Sequence, residues 1–179
     1  MIFNNEKLAV KTTLIPLDVT HQVLATKDVQ NLLHFGPSTP DSSIPEAPST
    51  LRIMFVELLN FFAETYASVF GITAGPPLHD PLAVAVILDG LAEHDVRFFY
   101  SESNGEREER YQVDVLTEGT HEQAVKGETQ TGRTVVKLLE PGQEGIKIPR
   151  GLHVEKFWKI LEQCLEKADQ ENIRKNTAY

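Results

Sequence analysis

Apolar and polar positions alternate along the chain with two periods, one helical and one extended. In residues 51–70, LRIMFVELLNFFAETYASVF, apolar side chains at Leu51, Met54, Phe55, Leu58, Leu59, Phe62 and Tyr66 return at steps of three and four, which predicts a helix buried along one broad face. Ser49 or Thr50 caps its start and Gly71 closes it. A shorter helix is predicted from a Thr26 cap through about Leu33, ended by Gly36. Another runs from Pro81 to about Glu93, where PLAVAVILDGLA is apolar nearly all round, the pattern of a helix inside a larger body. The final amphipathic stretch, VEKFWKILEQCLEKADQ, puts Val154, Phe157, Trp158, Leu161, Cys164, Leu165 and Ala168 on one stripe ahead of a charged tail. The β-branched and apolar run KTTLIPLD predicts a strand over residues 11–18, and VRFFYSES, YQVDVLTE, TVVKLL and IKIP read as further strands. The turns TEGT and EPGQEG between them point to antiparallel ribbons. Residues 36–50, GPSTPDSSIPEAPST, have no hydrophobic period and read as an exposed loop, with too little chain before it for a separate core.

At 179 residues, 41% hydrophobic and 24% charged, the chain suits one globular unit or the larger part of one. A formal net charge of -9, with 17 scattered basic residues, argues against nucleic acid as the main partner, because phosphate binding needs clustered Lys and Arg. Cys164 is the single cysteine, so no intrachain disulfide forms; its place in an apolar pattern predicts a buried thiol in a reducing compartment. No basic-then-apolar leader opens the sequence, and no stretch approaches the ~20 apolar residues of a membrane span. A soluble, cytoplasmic chain with no membrane partner is expected.

One short segment stands apart. In AGPPLHDPLAVA, His79 and Asp80 lie between prolines directly ahead of the apolar helix. Asp followed by Pro is a helix start, since the carboxylate accepts from free N–H groups and Pro fits the first turn; that reading of Asp80 competes with one in which the pair binds metal or moves protons. Thr20 and His21 follow the strand ending at Asp18, where ligands collect in open α/β sheets, although a lone histidine there is more often structural. Tyr66 reads as core whose hydroxyl stands near the His79 loop. His34, His94, His121, His153 and the runs GEREER and EKADQENIRK read as solvated surface. The sequence contains no GxGxxG, P-loop, GxSxG, CxxC or HExxH motif, and no two aspartates are adjacent or one apart.

LIPLDVTHQVLAT and GPPLHDPLAVA together resemble the inosine-uridine nucleoside hydrolase family, and the likeness extends through YQVDVLTEG and TGRTVV to the final helix. The resemblance implies an α/β fold with a mixed, largely parallel sheet flanked by helices and a β-ribbon region. It implies hydrolysis of the N-glycosidic bond of ribonucleosides to ribose and free base, of the purine and pyrimidine, inosine-uridine type, by a homo-oligomer serving nucleoside salvage. In the family the histidine of this loop reaches the leaving base and the adjacent aspartate is a ligand of a bound calcium that holds the ribose hydroxyls and the attacking water. The resemblance therefore assigns His79 as catalytic acid or base contact and Asp80 as calcium ligand, with Tyr66, Thr20 and His21 as weaker substrate contacts.

The departures matter as much. Family members open on a DxDPGxDD strand supplying the general base and most calcium carboxylates, and carry an NxxxEFN-type segment that grips the ribose; neither occurs here. Residues 1–179 resemble the carboxy-terminal part of a single nucleoside hydrolase domain, with Met1 at a position interior in the family. The chain by itself is accordingly expected neither to hydrolyse nucleosides nor to bind calcium tightly. The rival reading is a catalytically inactive remnant serving as a binding or assembly module. A metal phosphohydrolase is a weaker rival, because that class carries its His-Asp doublet inside a helix, and Pro77 and Pro81 bracket this one too tightly. His79 and Asp80 are expected together at the mouth of the largest polar concavity, at the carboxyl end of the strand ending in Asp18.

Overall fold

In the computed structural model, residues 2–37, 47–101 and 108–176 are described. The chain divides into two units, Met1–Pro16 with Phe98–Gly151 and Leu17–Arg97 with Leu152–Tyr179. Most of the proline-rich loop expected over residues 36–50, and the start of the GEREER run, lie outside the described residues.

The first unit is built on a ribbon. Tyr111–Val115 pairs antiparallel with Thr134–Leu138 in the register Tyr111↔Leu138 to Val115↔Thr134. Alternation buries Tyr111 and Val113, which pack with Ala9 and Ile146 and against Phe3, Leu14 and Ile148. Tyr111 and Ile146 exchange backbone hydrogen bonds of 2.9 Å in both directions, and Thr13 bridges Lys147 in parallel. The TEGT segment expected as a plain turn leads into a short helix, His121–Val125, whose Thr120 and Gln123 form a reciprocal capping box. The GEREER end is not merely solvated: Glu108 pairs with Arg110 and Lys147, and Glu109 with Arg150 and the Tyr111 hydroxyl.

The second unit is helical. Thr26 caps Lys27–Phe35 by accepting from the Val29 N–H, and Gly36 ends it. Ser49 caps the Thr50–Phe70 helix through the Arg52 N–H, and Gly71, left-handed at φ 69, closes it. The expected burial of this helix along one broad face is corrected. Among its apolar residues Val56 and Leu59 are buried, whereas Met54, Leu58 and Phe62 are exposed. Its apolar residues occupy more than one face, which the three-and-four spacing alone does not separate. By length and composition this 21-residue helix is also apolar enough to cross a membrane, so the expectation that no stretch approaches a span does not hold. It carries Arg52 into the unit instead. There the guanidinium bonds both Glu162 oxygens at 2.8 and 3.0 Å, Asp169 at 2.7 Å and the Leu33 carbonyl at 2.7 Å.

That ion network turns the Val154–Asn176 helix. Trp158, Glu162, Leu165 and Asp169 form the inward row at steps of four and three, with Trp158, Glu162 and Leu165 buried. Cys164, expected to be a buried thiol, is exposed as a result. The helix expected from Pro81 to Glu93 is shorter than its apolar pattern: Asp80–Ala85 is α-helical, Val86–Leu88 and Ala92–His94 are 3₁₀ turns, and Val84 and Ile87 are exposed. The strand expected over residues 11–18 does not form. Leu17–Thr20 is a single helical turn, and Thr13 keeps the one bridge. In place of the largely parallel sheet implied by the resemblance, the described residues show a mixed α/β arrangement with strands of two to five residues in small antiparallel sheets.

Candidate active site

The segment ahead of His79 is fixed by backbone pairing. Leu24 bridges Pro77 antiparallel, the Ala25 N–H donates to the Pro76 carbonyl at 3.0 Å, and the Leu78 N–H donates to the Val23 carbonyl at 3.1 Å. Gly75 makes this approach feasible: its φ is +145, and a Cβ there would lie 2.4 Å from the Ala25 carbonyl oxygen. Pro76 is fully buried and limits the backbone on the other side. The pairing lays residues 75–78 along residues 23–25, so the side chain leaving at position 79 meets the turn that ends at Thr20.

His79 touches both neighbouring elements. Its Nδ1 is 2.8 Å from Thr20 Oγ1, and its Nε2 is 2.6 Å from the Tyr66 hydroxyl. Thr20 comes from the Leu17–Thr20 turn and is 2% exposed; Tyr66 comes from the last turn of the long helix, where its carbonyl accepts from the Gly71 and Ile72 N–H groups. The Thr20 hydroxyl also donates to the Leu17 carbonyl at 3.3 Å, the arrangement that suits a ring protonated on Nδ1. Its oxygen therefore accepts from Nδ1–H, which leaves Nε2 of a neutral His79 as the acceptor for Tyr66 O–H. A directed chain results: Tyr66 O–H to His79, His79 to Thr20, Thr20 to the Leu17 carbonyl.

The electrostatics favour that neutral ring. Burial removes water from the imidazolium and lowers the His79 pKa below its ordinary value; repulsion from His21, whose ring centroid is 5.8 Å away, lowers it further, and the Asp80 carboxylate opposes both. A depressed pKa also makes the protonated ring a stronger acid. In that form Nε2–H donates to the Tyr66 oxygen and frees the phenolic proton for an outside acceptor, so the pair can pass a proton in either direction.

The structure thus brings together His79, Tyr66, Thr20 and His21, four of the five residues singled out in the sequence, but not at the end of a strand, since Asp18 sits in the helical turn. Asp80 is placed differently. It is the first helical residue; His79 holds the boundary position with helical backbone angles, and no side chain caps this helix, so the cap role read from the Asp-Pro pair is corrected. The Asp80 carboxylate is exposed next to His79. Among the described residues no three His, Cys, Asp or Glu side chains converge on a point that would hold a metal ion. One exposed carboxylate does not fit a calcium site, which takes about six to eight oxygen ligands. A depression of ≈ 600 Å³ lined by Phe3, Val10, Tyr111, Leu139 and Gly145 belongs to the other unit and contains neither His79 nor Asp80.

The Tyr66 hydroxyl stands by the His79 loop as the sequence suggested, whereas the bond from Thr20 to the His79 ring was missed. The spacing of Tyr66 from Gly71, which fixes it in the last helical turn, was the available signal; nothing in the sequence marks the partner of Thr20.

Comparison with known proteins gives a consistent result. Residues 1–159 match the family described as inosine-uridine preferring nucleoside hydrolase. A uridine nucleosidase of Saccharomyces cerevisiae is 27% identical over 175 residues, covering 94% of this chain and 44% of that protein. A probable ribonucleoside hydrolase of Dictyostelium discoideum is 27% identical over 173 residues, 93% of this chain and 43% of that protein. An uncharacterized protein of Schizosaccharomyces pombe is 38% identical over 88 residues, 49% of this chain and 23% of that protein. The chain spans less than half the length of these curated relatives.

Proposed function

Because the chain belongs to the inosine-uridine preferring nucleoside hydrolase family, we propose that it serves the hydrolysis of the N-glycosidic bond of ribonucleosides to ribose and free base. The observation that carries this reading is the hydrogen-bonded series Tyr66–His79–Thr20. When the bond from the anomeric carbon to the base nitrogen breaks, its electron pair leaves with the base, and water delivers oxygen to the carbon. The departing base is a poor leaving group until a proton reaches it. The His79–Tyr66 pair is suited to that delivery when the ring is protonated: Tyr66 O–H donates outward while the imidazolium Nε2–H replaces the proton from behind and the ring returns to its neutral, Nδ1–H form. Thr20 holds the ring through Nδ1, and burial, aided by His21, keeps the pKa of His79 low.

Asp80 is proposed as a carboxylate this chain offers to a calcium ion in the complete family unit, and the proton path above does not depend on it. The names of the relatives support a uridine or broader ribonucleoside substrate. A cytoplasmic setting and a homo-oligomeric assembly belong to the same proposal.

The test is hydrolysis of uridine and inosine by the protein as the cell makes it, with Tyr66→Phe and His79→Ala beside it. Loss of a positioned proton donor lowers turnover by about 10² to 10⁴. The loss should fall on natural nucleosides and spare an activated nitrophenyl riboside, whose leaving group needs no proton. Equal loss on both substrates removes the acid role, and absence of hydrolysis by the unaltered protein favours the inactive remnant.

A further inference from the structure

The Thr50–Phe70 helix has three faces rather than two. Arg52, Val56 and Leu59 are buried. Glu57, Asn60, Glu64 and Ser68 recur at steps of three and four and make a polar strip. Met54, Leu58, Phe61, Phe62 and Val69 make a second apolar strip, exposed at 59%, 53%, 66%, 44% and 66%. A helix lying on a core in water needs one apolar face, and the polar strip already supplies its solvated side. The additional strip is contiguous, aromatic and uncovered, which marks a surface meant for contact. Phe62 lies one helical turn before Tyr66, so an occupant of the strip adjoins the residue that bonds His79.

We propose that this strip seats the portion of the nucleoside hydrolase unit that lies outside the region matched by this chain, whether that portion is joined to it or separate. The proposal rests on the nucleoside hydrolase reading above. Two relatives carry the matched region within proteins of which it is 44% and 43%, so more than half of their length is available to cover it. The candidate site is short of partners in the same way, with Asp80 its one carboxylate and no converging metal-binding group among the described residues. A second copy is disfavoured as occupant of this strip, because its border carries Glu57 and Glu64 and a like strip would bring like charges together.

Photo-crosslinking decides it. The protein is produced in its own cells with Phe61→p-benzoylphenylalanine, and with Glu57→p-benzoylphenylalanine on the polar strip as control; cross-linked peptides are then sequenced by mass spectrometry. The expected product at position 61 joins this chain to a nucleoside hydrolase family sequence outside residues 1–179, with little product at position 57. Leu58→Lys, combined with the position-61 probe, should reduce that product at least tenfold while the helical circular dichroism is unchanged. Cross-links to residues 1–179 of a second copy, to lipid, or to no polypeptide overturn the proposal. Uridine hydrolysis measured on the same preparation separates the two readings: the cross-link without hydrolysis keeps the seat and removes the activity, and hydrolysis without the cross-link does the reverse.

Discussion

The two ring nitrogens of His79 are divided between Thr20 Oγ1 at 2.8 Å and the Tyr66 hydroxyl at 2.6 Å. With the Thr20 hydroxyl donating to the Leu17 carbonyl, we assign the hydrogen of the neutral ring to Nδ1. Nitrogen-15 NMR at neutral pH should show a protonated Nδ1 and an unprotonated Nε2. In Thr20→Val the acceptor is gone, a part-buried Nδ1–H loses its partner at a cost of about 1 kcal/mol, and the Nε2–H tautomer should become populated. An Nε2–H ring in the unaltered protein would reverse the direction assigned to the chain.

Local chemistry was the legible part of this sequence. Ser49, Thr26, Gly36 and Gly71 each cap or close a helix as their residue types require, and Val113 alternates into the ribbon core. What could not be read depends on partners far along the chain. Arg52 turns Glu162 inward and thereby turns Cys164 out, a consequence of one ion pair that an apolar pattern does not encode. The run KTTLIPLD has strand propensity, yet Leu17–Thr20 closes into a helical turn, which is what aims Thr20 at His79. His79 itself stood out by the prolines around it. Its tautomer came only with the hydroxyls of Thr20 and Tyr66, which share no spacing rule with it.

Glu162 and Arg52 should dominate the stability of the helical unit. Both side chains are under 10% exposed, at 8% and 9%, and Glu162→Ala leaves a buried guanidinium with Asp169 as its remaining carboxylate. Breaking one partner of such a pair costs about 3–5 kcal/mol. The exposed Arg174–Glu171 pair should matter far less, with Arg174→Ala costing about 0.5 kcal/mol or less. Denaturant midpoints of the two variants check the contrast, and equal small shifts would show that the Arg52 network is not needed.

Gly75→Ala should damage both fold and site. The φ of +145 is one that residues with side chains rarely adopt, and the added Cβ meets backbone rather than a yielding side chain, at 2.4 Å from Ala25 oxygen. The backbone conformation alone costs about 1–3 kcal/mol, and relieving the contact must pull residues 75–78 from residues 23–25. Gly90→Ala is the control: its φ is +78 with nothing within 4 Å of the added Cβ, so about 1–2 kcal/mol is expected and no change near His79. Thermal unfolding together with the His79 ring signals separates them. Unaltered His79 signals in Gly75→Ala would mean that the Leu24–Pro77 pairing does not position the histidine.

The lowered pKa of His79 fixes the sign of a pH effect. Burial and His21 depress it in the folded protein, while the unfolded chain titrates near the ordinary 6.5. Between those two values the unfolded state binds more protons, so folding stability rises with pH. The contribution is fully present above about 6.5 and is lost as pH falls through the folded value. Glu108, Glu109 and Asp95 act with the same sign, but only below the ordinary carboxylate values of 4.5 and 3.8, so their window is separate. His79→Gln should flatten the slope just below pH 6.5 and leave the acid limb intact. Removing His21 tests the cause: His21→Ala takes away the repelling charge and should raise the His79 pKa toward 6.5, read from its ring protons by NMR titration. A His79 titration unchanged in His21→Ala would leave burial as the sole origin of the depression.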